Sequence, residues 1–360
     1  MLTAHPLSRG GRSVRVESVP DLPDLGSWPT LRGEHAMPMQ THAWMNARRR
    51  ALRLPHLPLL AIRDDAGIQA IAPFIRVGHW LREFPAMFEP SDLVWGDVGH
   101  LQRLVDFLAR QKLPIVLDRL PVDSPTLGTV RRAFAGRGAV FVRTAMATPY
   151  LDLREYGPDA LPLTSGWQSD LRRFARKARA LGPLEFDIHA PRDSDHLHAL
   201  LDEAYAIETR SWKFSAGTAL TSNLAQGLFF KTFAIGAMQE GHLRIAFLRI
   251  GDEPVAMQIA SLWRGRFWLY KTSFDAAYAA ASPGQLLIRH TLAHAAEAGC
   301  KSYEFMGVMA DWTRLWTKQT RHYVQVHAMP YSLATVAAAT RSMARHARDR
   351  MRALTRRGFQ

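Results

Sequence analysis

The chain has 360 residues, 47% of them hydrophobic and 22% charged, with a single cysteine, Cys300. That length can bury a large core divided over two or three domains. One cysteine excludes an intrachain disulfide framework and a Cys-based zinc site, and it fits a reducing compartment. The formal net charge of +14 is unevenly spread: residues 170–180 hold four Arg and one Lys against one Asp, and residues 333–360 hold seven Arg against one Asp. Patches of this kind imply a localised acidic partner. The first residues, MLTAHPLSRGGRSVRVESV, contain no signal-peptide core, and no apolar run approaches the length of a membrane span. The expected location is the cytoplasm, at the inner face of the membrane if the basic stretches meet lipid.

Taken in order, residues 1–14 are expected to be disordered. THAWMNARRRAL (41–52) reads as a helix. LPLLAIRDDAGIQAIAPFIRVG (57–78) reads as two strands about the turn Asp64–Gly67. A helix over 99–111, a strand over 114–120, a helix near 127–135 and a strand over 139–145 follow, and 150–167 is a plausible crossing between halves. In the second half, Ser169 is a candidate cap for a basic helix over 170–181, which Gly182-Pro183 stops. A strand over 184–190 and helices over 193–213 and 225–239 come next. Strands at 243–250, 254–262 and 266–273 precede a helix over 283–298, a strand at 301–306 and a last strand at 322–329. HLRIAFLRIGDEPVAMQIASLWRG (242–265) repeats in kind the strand–turn–strand of 57–78, about half a chain away. The order predicts a mixed α/β (α+β) layer architecture made of two like halves, not a βαβ repeat.

The start of the helix over 283–298 draws attention. Ser282 is a candidate N-cap, Pro283 fits the first helical position, and Gln285 completes an S-x-x-Q capping box. Gly284 is surplus to that reading, because glycine in a first turn lowers helix propensity unless something approaches the bare backbone. Gly284→Val is therefore expected to spare the helix and impair ligand binding.

An ordered series of residues resembles the GNAT acyltransferase superfamily, in its tandem, CelD-like branch related to the Fem-type transferases. It comprises Trp212-Lys213, Gly217–Leu220, Phe229-Phe230, Gly251–Ala256, Tyr270-Lys271, Ser282–Leu287 and Tyr303–Phe305. Upstream, Ser27-Trp28, Thr41–Trp44 and Tyr150–Leu153 fit the same pattern. One departure stands out in DWTRLWT (311–317): Trp312 and Thr313 occupy the places of a usual Tyr-Lys pair, Trp316 remains, and Arg314 can supply a cation one position later. The resemblance implies a disordered segment 1–14, a degenerate GNAT-like domain over 15–160, an acyltransferase domain over 161–332, and a basic helical tail over 333–360.

The resemblance also implies an acyl-CoA co-substrate, acetyl-CoA first among them, held at a helix N-terminus by amide groups and the helix dipole. Tyr270, Thr272, Ser282, Gly284, Gln285, Leu286 and Arg314 would bind it. Glu304, Asp311 and Lys271 are the candidate catalytic residues. A carboxylate at Glu304 must pair with a cation such as Lys271 or Arg314 or stand poised for proton removal, and Asp311 is equally an N-cap. Glu208 and Trp212, one helical turn apart, and Trp316 are candidates for acceptor binding. No metal site is expected: His290 and His294 have zinc-pair spacing, but Thr291 stands where a metalloprotease has Glu.

The expected activity is N-acyl transfer, most simply N-acetyl transfer, to an amine on a sugar, an amino acid or a cell-envelope or polysaccharide precursor. A Fem-type transfer from aminoacyl-tRNA and a non-catalytic scaffold that binds anionic ligands are the alternatives. Arg172, Arg173, Arg176 and Arg179, and the arginine stripe over 341–357 (Arg341, Arg345, Arg348, Arg352, Arg356), are the surfaces for an acidic partner. That partner would be a membrane surface, an acyl carrier protein or tRNA.

Overall fold

A computed structural model describes residues 5–7, 14–32, 34–54, 59–83, 89–211, 223–332 and 335. In chain order the elements are β1 (His5–Leu7), β2 (Val14–Val19), α1 (His42–Ala51), β3 (Leu59–Asp64), β4 (Gly67–Ala72), β5 (Phe74–Val77), β6 (Trp80–Glu83) and β7 (Val94–Trp95). Next come α2 (Val98–Arg110), β8 (Ile115–Pro121), α3 (Pro125–Phe134), β9 (Gly138–Asp152), α4 (Ser165–Arg179), β10 (Leu184–His189) and α5 (Ser194–Thr209). The chain continues through α6 (Leu224–Gln239), β11 (Leu243–Ile250), β12 (Glu253–Trp263), β13 (Arg266–Phe274), α7 (Pro283–Glu297), β14 (Ser302–Glu304), α8 (Asp311–Arg314) and β15 (Thr320–Pro330). Trp212 and the arginine stripe over 341–357 lie outside the described residues. Among the described residues no helix is long and apolar enough to cross a membrane.

Most helices start where a short polar side chain takes a first-turn amide. Thr41, Asp97, Ser124, Thr164, Asp193 and Asn223 each accept such a bond. The cap of the basic helix thus lies five residues before Ser169, at Thr164, whose Oγ1 accepts from Trp167 N at 3.2 Å. That cap brings Trp167 into the helix, where it packs edge-on to Trp316.

The chain divides into two compact units. The first comprises Met1–Ala36, His56–Met146 and His322–Gln360; the second comprises Met37–Pro55 and Ala147–Arg321. The expected boundary at 160/161 thus differs in two ways: Met37–Pro55 belongs with the second unit, and His322 onward with the first. The reason lies in strand and helix pairing. In the first unit β8 pairs in parallel with β6 and antiparallel with the C-terminal β15. In the second unit β14 pairs in parallel with β13 and antiparallel with the end of β9. Each parallel pair is therefore completed by a strand from the other half of the sequence.

The first unit also contains an antiparallel sheet of order β1-β2-β3-β4-β7. Its edge strand β1 pairs His5–Leu7 with Val14–Val16, in the segment expected to be disordered. Val16, Ile62, Leu101, Leu104 and Phe134 are buried in its core. The second unit runs β10-β11-β12-β13 antiparallel before the parallel step to β14. Its core has two layers. In one, α4 and α7 pack with Leu248, Phe267, Leu287 and Tyr303; in the other, α1, α5 and α6 pack with Phe233, Phe247, Ile259 and Trp268. Both units are mixed, mostly antiparallel sheets flanked by helices, the expected fold class.

Candidate active site in the second unit

Strands β13 and β14 pair over three residues only, Arg266–Trp268 against Ser302–Glu304. β14 ends there, while β13 continues to Phe274. The two strands part, and Leu269–Phe274 has no ladder partner on that side among the described residues. After β13 a 3-10 turn over Ala276–Ala281 leads into α7.

The start of α7 differs from a capping box. Ser282 adopts a left-handed conformation, φ 46° and ψ 52°, and its side chain makes no cap bond. Its carbonyl instead accepts from Gln285 N at 3.0 Å and Leu286 N at 3.3 Å. Gln285 Oε1 accepts from Trp316 Nε1 at 2.7 Å, so this side chain anchors the indole and does not turn back to its own backbone. Gly284 packs against Phe274: a Cβ there would stand 3.2 Å from Phe274 Cδ1. The surplus glycine thus has a packing reason. With Pro283 lacking an N–H and the Gln285 and Leu286 amides bound to the Ser282 carbonyl, the Gly284 N–H is the first-turn donor left for an anion.

In β13 the register against β12 shifts, with Ala260 opposite Leu269 but Ile259 opposite Lys271. Tyr270 is the extra residue of this β-bulge, which re-aims the side chains around it. Tyr270 packs at 5.2 Å from Trp44 of α1 and 5.1 Å from Phe233 of α6. Lys271 meets α5: its Nζ lies 2.6 Å from Glu208 Oε1, with side chains 11% and 0% exposed. One turn before Glu208, Tyr205 has its hydroxyl pKa pushed up to about 12 by burial and by the charge of Glu208. That hydroxyl has no hydrogen-bond partner among the described residues. Trp44 arrives from the first half because α1 lies along α6. Ala43 N donates to Glu240 Oε1 at 2.7 Å, and Gly236 lets the helices touch, since a Cβ there would sit 2.7 Å from Ala43 Cβ.

Glu304 is nearly fully buried and is held by Arg321, whose Nε lies 2.9 and 2.8 Å from its two oxygens. Ser302 Oγ donates to Glu304 Oε1 at 2.6 Å, and the Arg321 guanidinium stacks 3.9 Å above the Tyr150 ring. The partner of Glu304 is therefore Arg321, not Lys271 or Arg314. Arg314 is bonded to Asp311 at 2.6 Å, and the Asp311 side chain is fully exposed. No Asp311 cap bond is made, because Ala310 is the N-cap of α8. Thr272 lies half-buried on β13 beyond the bulge, and Leu286 is buried in the first turn of α7.

Of the sequence-selected residues, the fold brings Lys271 to Glu208 and Gln285 to Trp316. Glu304 and Asp311 each have a different cation. Sequence reasoning did not find Arg321, whose signal was its place at the start of an alternating strand, or Trp44 as a neighbour of Tyr270. Among the described residues no group of three or more His, Cys, Asp or Glu side chains is placed to hold a metal ion. His290 stacks on Phe186, with ring centroids 4.5 Å apart.

Residues 167–314 match the family model described as acetyltransferase (GNAT) domain. No curated protein matches the chain. Among solved structures, FemX is 11% identical with a TM-score of 0.54, covering 82% of this chain and 92% of its own. A conserved protein of unknown function from Bacteroides thetaiotaomicron VPI-5482 is 12% identical with a TM-score of 0.51, covering 83% and 94%. L-PGS from Bacillus licheniformis is 13% identical with a TM-score of 0.50, covering 77% and 86%. At these identities the likeness is one of fold. The second unit is thus similar to a GNAT acetyltransferase domain over residues 167–314, and the chain resembles FemX in fold.

Proposed function

We propose that the second unit transfers an acyl group from an acyl-CoA to an amine on a sugar, amino acid or envelope precursor. The observation that carries this reading is the parting of β13 from β14 after Trp268, beside the N-terminus of α7. Exposed strand amides there can polarise a thioester carbonyl, so the protein need only position the amine and remove its proton. The Gly284 N–H and the α7 dipole supply part of an anion site.

Lys271 and Glu208 stand next to the unpaired part of β13. In this reading Glu208 accepts the proton of the attacking amine, and Lys271 holds the carboxylate in place and stabilises its charge. Tyr205, neutral because of its raised pKa, is the adjacent hydroxyl that can bond the acceptor. Glu304 fastens β14 to Arg321 and so fixes where the strands part.

The sequence resemblance to the Fem-type transferases supports a second reading, in which the acyl group is an aminoacyl residue carried by tRNA, and the likeness of fold to FemX accords with it. The same carbonyl chemistry applies, with an ester in place of the thioester. Mass spectrometry of an amine library incubated with acetyl-CoA or with charged tRNA separates the two. Acylation from acetyl-CoA that is lost in Glu208→Gln supports the first reading; transfer only from charged tRNA replaces it with the second.

A further inference from the structure

The α4–α7 flank of the second unit holds a cavity of about 560 Å³ to which the acyl-transfer reading assigns no role. Its size lies in the range of small-molecule sites. One wall is α4, which contributes Arg172, Arg176 and Arg179; the other is α7, which contributes Arg289. The floor is apolar, with Leu171, Leu184, Phe186 and Leu286 among its residues.

Charge is the unusual feature. Arg172, Arg176, Arg179 and Arg289 make no ion pair among the described residues, whereas neighbouring Arg173 is bonded to Asp170 at 2.7 Å. Asp159 is the single acidic residue in the lining. Arg289 is half-buried, and desolvation pulls its pKa below the ordinary value despite the opposing charge of Asp159. A half-buried guanidinium without an ion-pair partner is costly unless an anion completes it. His290 does not add to the charge: burial, His294 and Arg289 all hold its pKa below the usual value, and its ring lies flat on Phe186.

Four guanidinium groups against one carboxylate exceed what a single monoanion would balance. The three on α4 recur at spacings of four and three residues, spreading over about 10 Å of helix at 1.5 Å per residue. Arginine forks match phosphate oxygens in pairs. The floor offers apolar surface to the remainder of a ligand. A concave site of this volume suits a small molecule, not a duplex or a bilayer, which meets its partner on an open surface.

We propose that this cavity binds the diphosphate ester of a small organic molecule, with the arginines on the phosphates and the organic part over Phe186 and Leu286. The inference stands apart from the acyl-transfer reading. The diphosphate could belong to coenzyme A or to a nucleoside-diphosphate-linked molecule, and the two sources are separable by experiment.

Isothermal titration of the full-length chain with inorganic pyrophosphate, ADP, UDP-N-acetylglucosamine, coenzyme A and adenosine tests it. The diphosphates should bind at least about tenfold more tightly than adenosine, and Arg289→Met should cost at least about tenfold, the loss of charge-assisted hydrogen bonds. Because Arg289→Met can disturb α7, the exposed pair Arg172→Gln/Arg176→Gln is measured beside it and should show the same loss. Lys177→Gln, on α4 but outside the cavity, should bind as wild type. A coenzyme A preference identifies the donor as the source; equal or better binding of UDP-N-acetylglucosamine identifies a nucleotide-linked ligand. Absence of diphosphate binding, unchanged affinity in both arginine variants, or an effect of those variants on RNA or anionic vesicles alone would overturn the proposal. Acyl transfer is assayed separately, so a protein that binds pyrophosphate but acylates nothing loses the proposed function and keeps this site.

Discussion

Lys271 and Glu208 form a buried ion pair at 2.6 Å, one on β13 at a bulge and the other on the last turn of α5. Removing one partner of such a pair strands the other charge without solvent, which typically costs about 3–5 kcal/mol. Glu208→Gln should therefore lower unfolding stability by about 3 kcal/mol in urea titrations, close to that range. The double variant Glu208→Leu/Lys271→Met should recover most of that loss, because no unpaired charge remains. For acyl transfer, Glu208→Gln and the double variant should both lose about 10²-fold or more in kcat, the usual contribution of a positioned base. Recovery of stability without recovery of rate separates the chemical role from the structural one.

Gly236 lies in the last turn of α6, where glycine costs up to about 1 kcal/mol relative to alanine. Gly236→Ala should nevertheless destabilise the protein, because the new Cβ meets Ala43 Cβ at 2.7 Å and Ala43 Cα at 2.9 Å. Overpacking of about 1–3 kcal/mol outweighs the gain in helix propensity. Ala43→Gly in the same chain removes the Cβ contact but leaves the one to Cα, so the double variant should recover only part of the loss in melting temperature.

At Gly284 the proximity of Phe274 changes the choice of test. Gly284→Val carries branched methyl groups toward a ring already 3.2 Å from the first added carbon, and it should cost about 1–3 kcal/mol by overpacking. Gly284→Ala asks for a shift of a few tenths of an ångström, which the Phe274 ring can make. The alanine variant should melt within a few degrees of wild type while binding acetyl-CoA more weakly. Unchanged acetyl-CoA affinity in Gly284→Ala would show that the glycine serves packing against Phe274 and not the approach of a ligand.

Asp92 is fully buried in the first unit, accepting from Ser124 and Thr126 hydroxyls at 2.6 Å each and from Leu93 N at 2.7 Å. Burial outweighs these bonds and raises its pKa to about 6. The buried Glu83 is raised too, first by burial and then by the charge of Asp92. The folded state thus binds protons more tightly than the unfolded one, so the stability from Asp92 is complete below about pH 4 and is lost as pH rises through about 6. The shift corresponds to about 3 kcal/mol between pH 4 and pH 7. Asp92→Asn should flatten that slope, and denaturation curves across the interval check it: a wild-type chain whose stability rises with pH relative to the variant would contradict the assignment.

Much of this fold was legible from local chemistry. Thr41, Asn223 and Pro283 mark helix starts, and the alternation along Leu243–Trp263 with its Gly251–Glu253 turn specifies two strands. These features depend on neighbours a few residues away, so the linear pattern contains them. The basic helix over 165–179 began earlier than expected because Thr164, not Ser169, had a free amide within reach. Short strands such as β6 and β7, with four and two residues, had too little periodicity to be recognised.

The site shows the same division. The amino-acid order determined which residues had unusual chemistry: a lysine beside a tyrosine on β13, a glutamate in an apolar helix, a glutamate between aromatics and a glycine after proline. Only the tertiary structure decided their partners. A single extra residue in β13 turned Lys271 toward Glu208, sixty-three positions earlier, and left Glu304 to Arg321. Capping and alternation act over one turn or one strand, whereas the pairing of buried charges is set by which chain segments pack against each other, and that information is spread over the whole sequence.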